Sequence, residues 1–187
     1  MLFRSRVRLG FSPQGPELAL VRPGLRAELA LTVGRDMEVE LTTINDGPEP
    51  LAFEDALHTY FALAGLDETR VEGLHDCPYI DKMDGKRTKV QDGAIHFTSE
   101  TDRVYLDRGA ATEIADPAAK RRIRVAKSGS ASTVVWNPWI DKSKAMPDFG
   151  DEEWRGMCCV ETANVGADRI HLLPGTQHTT RLRVSLA

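Results

Sequence analysis

Glu28-Leu29-Ala30-Leu31-Thr32-Val33-Gly34-Arg35-Asp36-Met37-Glu38-Val39-Glu40-Leu41 is the stretch whose period decides the fold. Leu29, Leu31 and Val33 alternate with Glu28, Ala30 and Thr32. After Gly34-Arg35-Asp36 the alternation resumes at Met37, Val39 and Leu41. A period of two puts every second side chain on one face, so this is a β-hairpin with one buried side. Just downstream, Asn45-Asp46-Gly47-Pro48 is a turn: Asn and Gly tolerate positive φ, and Pro cannot join a ladder. Working outward, strands are predicted at Leu51 to Phe53, Ile95 to Thr98, Arg103 to Leu106, Arg122 to Ala126, Thr133 to Trp136, Met157 to Glu161 and Arg181 to Leu186. Gly or Pro punctuates most of the gaps. Helical periodicity is almost absent, with a short turn or two predicted over Asp148 to Arg155. The expected class is all-β, a mostly antiparallel β-sandwich.

The chain has 187 residues and a formal charge of −4, from 28 acidic and 24 basic side chains. That balance supplies no cationic field for a phosphate backbone and argues against a nucleic-acid partner. No apolar run approaches the ~20 residues of a membrane-spanning helix, so no membrane role is expected. Met1-Leu2-Phe3-Arg4-Ser5-Arg6-Val7-Arg8 lacks the apolar stretch of a secretory signal. Three cysteines, two of them adjacent (Cys158 and Cys159), do not make a disulfide framework. A reducing cytoplasm is the natural setting. No internal repeat is present, and residues 1–187 read as one domain, with the Pro- and Gly-rich residues 12–25 as a loose strand connection.

Three clusters carry chemistry. His58 sits in Ala56-Leu57-His58-Thr59-Tyr60-Phe61, and a lone histidine among apolar residues is usually a satisfied core side chain. Glu161 closes the apolar run Cys158-Cys159-Val160, where a carboxylate must be paired, hydrogen-bonded or shifted in pKa, which makes it a candidate base. In Ser99-Glu100-Thr101-Asp102-Arg103, two carboxylates precede an arginine, which by itself reads as a strand-end ion pair. His75-x-Cys77 and Cys158-Cys159 lack the paired spacing of a zinc site, and no metal is expected. Gly-rich phosphate loops are absent, and Gly129-Ser130-Ala131-Ser132 is not a nucleophile elbow. Arg4, Arg6 and Arg8 would share one face of a strand, which could meet an anion but is expected to face solvent.

In order along the chain, ALHTYF (56–61), Gly73-Leu74, Tyr79-Ile80-Asp81, ETDRVY (100–105), VVWNPW (134–139), Met146-Pro147-Asp148-Phe149-Gly150 and CVETA (159–163) resemble the glucose-6-phosphate 1-epimerases. These belong to the aldose 1-epimerase, or galactose mutarotase-like, superfamily. The resemblance runs from about Val7 to the C-terminus. It implies a galactose mutarotase-like supersandwich and interconversion of the α and β anomers of a hexose, most specifically a hexose 6-phosphate. It also implies a longer N-terminal portion in other members, with first strands and phosphate-holding arginines that residues 1–6 do not match and that Arg4, Arg6 and Arg8 do not replace. Residues 1–25 are therefore a loosely matched segment, and N-terminal strands are expected to be lacking.

Opening a hemiacetal moves one proton off the anomeric hydroxyl and another onto the ring oxygen. One base and one acid suffice, without metal, nucleotide or other cofactor. The resemblance assigns Glu161 as the base, His58 as the acid and Asp102 as a substrate-binding carboxylate. Trp136 and Trp139 could offer apolar faces to the sugar ring, with packing in the core as an equal alternative. The alternative from another class is a non-catalytic carbohydrate-binding or interaction domain derived from an epimerase. Uncovered strand edges predict self-association.

Overall fold

The structure is a computed structural model describing residues 4–12, 23–107, 109 and 111–187. Its strands are β1 (Ser5–Phe11), β2 (Leu25–Val33), β3 (Met37–Asn45), β4 (Leu51–Phe53), β5 (Asp55–Leu57), β6 (Tyr60–Ala62), β7 (Arg70–Glu72), β8 (Pro78–Asp81) and β9 (Arg87–Val90). They continue with β10 (Ile95–His96), β11 (Thr101–Tyr105), β12 (Thr112–Asp116), β13 (Arg121–Ser128), β14 (Ser132–Asn137), β15 (Met157–Asn164), β16 (Ile170–Leu172) and β17 (Gln177–Leu186). One helix, α1 (Trp139–Ala145), lies between β14 and β15. An eight-stranded sheet runs β1-β2-β3-β17-β13-β12-β7-β10. A seven-stranded sheet runs β5-β15-β14-β11-β8-β9, with β6 also on β15, and β16-β4 form a small pair. Every ladder is antiparallel, as the alternation predicts. Among the described residues no helix is long and apolar enough to cross a membrane.

The β2–β3 hairpin forms in the register its sequence dictates: Leu29 faces Leu41 and Leu31 faces Val39. Its far end is held by Asn45, whose Oδ1 accepts from Gly47 N at 3.0 Å while Nδ2 donates to the carbonyl of Glu49 at 2.8 Å. A Cβ at Gly47 would lie 2.6 Å from the Pro23 carbonyl, so the turn requires glycine there. Between the two sheets, Val71, Ile114, Ile123, Val125 and Leu182 meet Phe61, Tyr105, Val135, Cys158 and Val160. Each such buried aliphatic side chain contributes roughly 1.5–3 kcal/mol, so this layer fixes how the seven-stranded sheet presents its outer face.

Three features depart from the simple pattern. β14 and β15 are buried along their whole length, because one face meets the other sheet and the other carries a second apolar cluster of Val104, Val134, Trp136, Met157, Cys159 and Ala163. A strand covered on both faces reads as a continuous apolar run. Helix α1 went unpredicted: at seven residues it is too short to show a period. Buried Asn137 starts it, its Oδ1 accepting from Trp139 N at 2.9 Å and its Nδ2 donating to the carbonyls of Trp154 and Met157, each at 2.9 Å. The turn predicted over Asp148 to Arg155 is narrower, a 3-10 turn at Glu153–Gly156.

The sheet's far edge is β1, on which Val7, Leu9 and Phe11 are 53%, 60% and 47% exposed. Arg4 and Arg6 do share a face, and they reach across β2 to Glu38 (3.6 Å) and Glu40 (3.2 Å) rather than ending in solvent alone. Most of the predicted loose connection, residues 13–22, lies outside the described residues.

Candidate active site

Strand register alone assembles the site. Leu57 pairs with Thr162 and Tyr60 with Cys159, so β5 and β6 keep one register along β15 and His58 falls opposite Glu161. Glu161 in turn faces Val134, Val134 faces Val104, and Val104 faces Ile80. One row further, Tyr60, Cys159, Trp136 and Asp102 line up, and the Lys82 amide donates to the Asp102 carbonyl at 3.0 Å. Residues two apart on a strand share a face. Both rows therefore project from the outer face of the seven-stranded sheet, away from the inter-sheet core.

They line a cleft of about 800 Å³, into which His58, Glu161, Asp102, Trp136, Tyr60 and Lys82 all face. Such a volume suits a small organic ligand. Met146, after α1, and Lys142, on it, form part of the wall, so the helix that Asn137 starts closes one side of the site. All three residues singled out from sequence are thus brought together, although 103 positions separate His58 from Glu161.

His58 Nε2 lies 3.2 Å from Glu161 Oε1, the imidazole half exposed and the carboxylate side chain only 7% exposed. The imidazole is clamped on two sides. Tyr60 stacks on it at 4.9 Å and 17°, and Trp136 meets it edge-on at 5.8 Å. Burial pushes the Glu161 carboxyl up to about 7; the neighbouring Asp102 carboxylate adds to this and the Lys82 ammonium opposes it. Burial lowers the His58 pKa from 6.5, with Asp102 opposing and Lys82 assisting. The two shifts run in opposite directions, towards a protonated carboxyl and a neutral imidazole, so the pair can share one proton.

Asp102 is held by Lys82 at 3.0 Å, and Glu100 by Lys142 at 3.3 Å. Arg103 takes no part in either pair. It alternates with Asp102 along β11 and so points the other way, its guanidinium over Tyr79 at 5.1 Å and beside Gln91. The two tryptophans divide between the alternatives: the Trp139 ring packs against Trp154 at 4.4 Å in the core layer, and Trp136 lines the cleft. Sequence reasoning passed over Lys82, which follows Tyr79-Ile80-Asp81 at the end of β8, and the stacking role of Tyr60. The two adjacent cysteines separate: Cys158 joins the inter-sheet layer, and Cys159 lies under the cleft.

Comparison with known proteins places this architecture. The aldose 1-epimerase family model matches residues 22–185. A Cenchrus ciliaris protein named "Putative glucose-6-phosphate 1-epimerase" is 36% identical over 184 residues, covering 96% of this chain and 56% of that protein. An Escherichia coli (strain K12) protein of the same name is 37% identical over 134 residues, covering 70% of this chain and 43% of the relative. The crystal structure of a Salmonella typhimurium protein, described as "a putative mutarotase (YeaD)", superposes with a TM-score of 0.88 at 26% identity. It covers 97% of this chain and 60% of that one. The chain thus spans about half the length of the curated relatives it matches.

Proposed function

Because this chain belongs to the aldose 1-epimerase family, we propose that its cleft interconverts the α and β anomers of a hexose, with a hexose 6-phosphate as the preferred substrate. One observation carries the reading: a buried carboxyl and a half-exposed imidazole stand 3.2 Å apart in a cleft that also holds Asp102. The phosphate preference is supported by the names of the relatives and by three lysines on the cleft wall, Lys82, Lys86 and Lys142.

In this mechanism the reacting form is the tautomer in which Glu161 is ionised and His58 carries the proton that burial otherwise favours on Glu161. Glu161 takes the proton from the anomeric hydroxyl, the bond from C1 to the ring oxygen breaks, and His58 protonates that oxygen. The product is the open-chain aldehyde. Rotation about C1–C2 exposes the other carbonyl face. The ring hydroxyl attacks it while returning its proton to His58, and Glu161 returns its own to the anomeric oxygen. Each half-cycle moves one proton across the pair, and the pair ends as it began. Positioned proton transfer of this kind supplies ~10²–10⁴-fold. Asp102 accepts hydrogen bonds from sugar hydroxyls, and Trp136 offers its face to the apolar side of the ring.

The test is mutarotation of freshly dissolved α-glucose 6-phosphate and of α-glucose, followed by polarimetry and corrected for the spontaneous rate. Acceleration in proportion to protein, greater for the phosphorylated sugar, is the expected result. Sugar binding without acceleration would instead support a non-catalytic carbohydrate-binding domain.

A further inference from the structure

The two catalytic candidates have a third neighbour that the proton-transfer chemistry does not use. Cys159 lies two positions before Glu161 on β15, so its side chain shares the cleft face, one row along from the His58–Glu161 pair. His58, Cys159 and Glu161 each offer one ligand atom, and the three atoms lie within 4.8 Å of one another.

We propose that these three side chains form a site for one thiophilic divalent cation, zinc being the natural probe, and that cation and sugar exclude each other. Nitrogen, sulfur and oxygen ligands from three side chains with a fourth position open are the donor set of an accessible zinc site. Zinc–ligand bonds of about 2.0–2.3 Å at tetrahedral angles place neighbouring ligand atoms roughly 3.3–3.7 Å apart. The His58–Glu161 spacing of 3.2 Å is already close to that. Drawing in the thiol needs a shift of about an ångström, within the range of a side-chain torsion. The cation enters from the half-exposed imidazole, Cys159 is fully buried beneath it, and the open position faces the cleft.

Binding is a ligand exchange without redox chemistry. The Cys159 S–H bond breaks and its proton leaves to solvent together with the proton held by the His58–Glu161 pair, and the thiolate, the imidazole nitrogen and a carboxylate oxygen replace three waters on the cation. Without a cation the thiol stays protonated, since burial and the Glu161 carboxylate push its pKa far up. It is then inert. A bound cation would engage the acid and the base together, so no proton could be passed to a sugar. The site stands on geometry alone; only its inhibitory consequence rests on the epimerase reading.

The decisive measurement is therefore binding. Titration of the purified protein with zinc sulfate should give one equivalent bound at micromolar concentration, and glucose 6-phosphate should weaken that binding. Cobalt(II), as a spectroscopic stand-in, should show a thiolate-to-metal charge-transfer band. Cys159→Ser should abolish the band and weaken zinc binding by more than the ~10–100-fold that loss of a mere supporting partner costs. Cys77→Ser, just before β8 and packed against the inter-sheet core, should change neither. If Cys159→Ser does not fold, the band in the unaltered protein and in Cys77→Ser still decides. In the mutarotation assay, zinc should inhibit competitively, with EDTA reversing it and Cys159→Ser retaining turnover while escaping inhibition. Absence of stoichiometric zinc binding or a band that survives Cys159→Ser would overturn the site, and zinc binding indifferent to glucose 6-phosphate in a protein that accelerates its mutarotation would overturn the mutual exclusion. Binding in a protein without mutarotase activity would instead refute the function and leave the site intact.

Discussion

Replacing Glu161 with Gln should make the protein more stable and less active at once, and the pH dependence of the stability gain identifies the cause. The carboxyl is pushed from 4.5 to about 7 chiefly by burial, so the folded state holds its proton more tightly than the unfolded chain does. A raised pKa of this sense contributes stability below pH 4.5 that is lost as pH rises to about 7. At ~1.36 kcal/mol per tenfold change in proton affinity, the loss accumulates to about 3 kcal/mol and is constant above that range. The side-chain amide introduced by Glu161→Gln carries no charge at any pH and escapes it. Urea unfolding at pH 4.5, 6 and 8.5 is the assay. The Gln variant should match the wild type at the lowest pH and exceed it by up to about 3 kcal/mol at the highest. The direction is opposite to that of most core substitutions. A difference that does not grow with pH, or a Gln variant less stable at pH 8.5, would refute the claim that Glu161 is held in a desolvated, destabilised state ready to take a proton.

Further outcomes follow from the same geometry. His58→Asn and Glu161→Gln should each reduce anomer interconversion by ~10²–10⁴-fold, and the double variant by less than the product, since both serve one proton-transfer cycle. The rate should fall as pH rises through about 7, where the pair loses the proton it passes; in pH–rate profiles Asp102→Asn should move that falling limb to lower pH and Lys82→Ala to higher, because the two charges act on the carboxyl with opposite sign. Asn137→Ala should cost roughly 2–4 kcal/mol by thermal or urea denaturation, leaving the Trp154 and Met157 carbonyls unpaired, and should raise KM by releasing the helix that carries Lys142. Leu9→Lys should suppress concentration-dependent association in sedimentation velocity if the exposed apolar face of β1 drives it.

How much was legible in the sequence depends on the physics of each element. The β2–β3 hairpin could be read because one of its faces is polar, so its period shows directly as alternation. β14 and β15 lost that signal by being covered on both faces, yet their apolar runs still marked them as strands. Helix α1 offered nothing periodic in seven residues; Asn137 made it, through three hydrogen bonds that tie the helix start to the turn before β15. The site was reached by resemblance at His58, Glu161 and Asp102, and register explains why the resemblance holds: antiparallel ladders carry these positions into adjacent rows. Lys82 and Cys159 could not be found that way, because only the same ladders bring them beside the pair. Spacing rules for metal ligands look for neighbours along the chain, whereas here His58, between β5 and β6, meets Cys159 on β15.

The central claim is that the His58–Glu161 pair moves protons on a sugar. Exchange NMR at pH 7.5 on an equilibrium mixture of glucose 6-phosphate anomers measures C1 interconversion directly, without any change in composition. Wild-type protein should raise the exchange rate in proportion to its concentration, and Glu161→Gln, folded and at equal concentration, should return it to the spontaneous value. Exchange indistinguishable from the protein-free sample in the wild type, or equal acceleration by Glu161→Gln, would contradict the account.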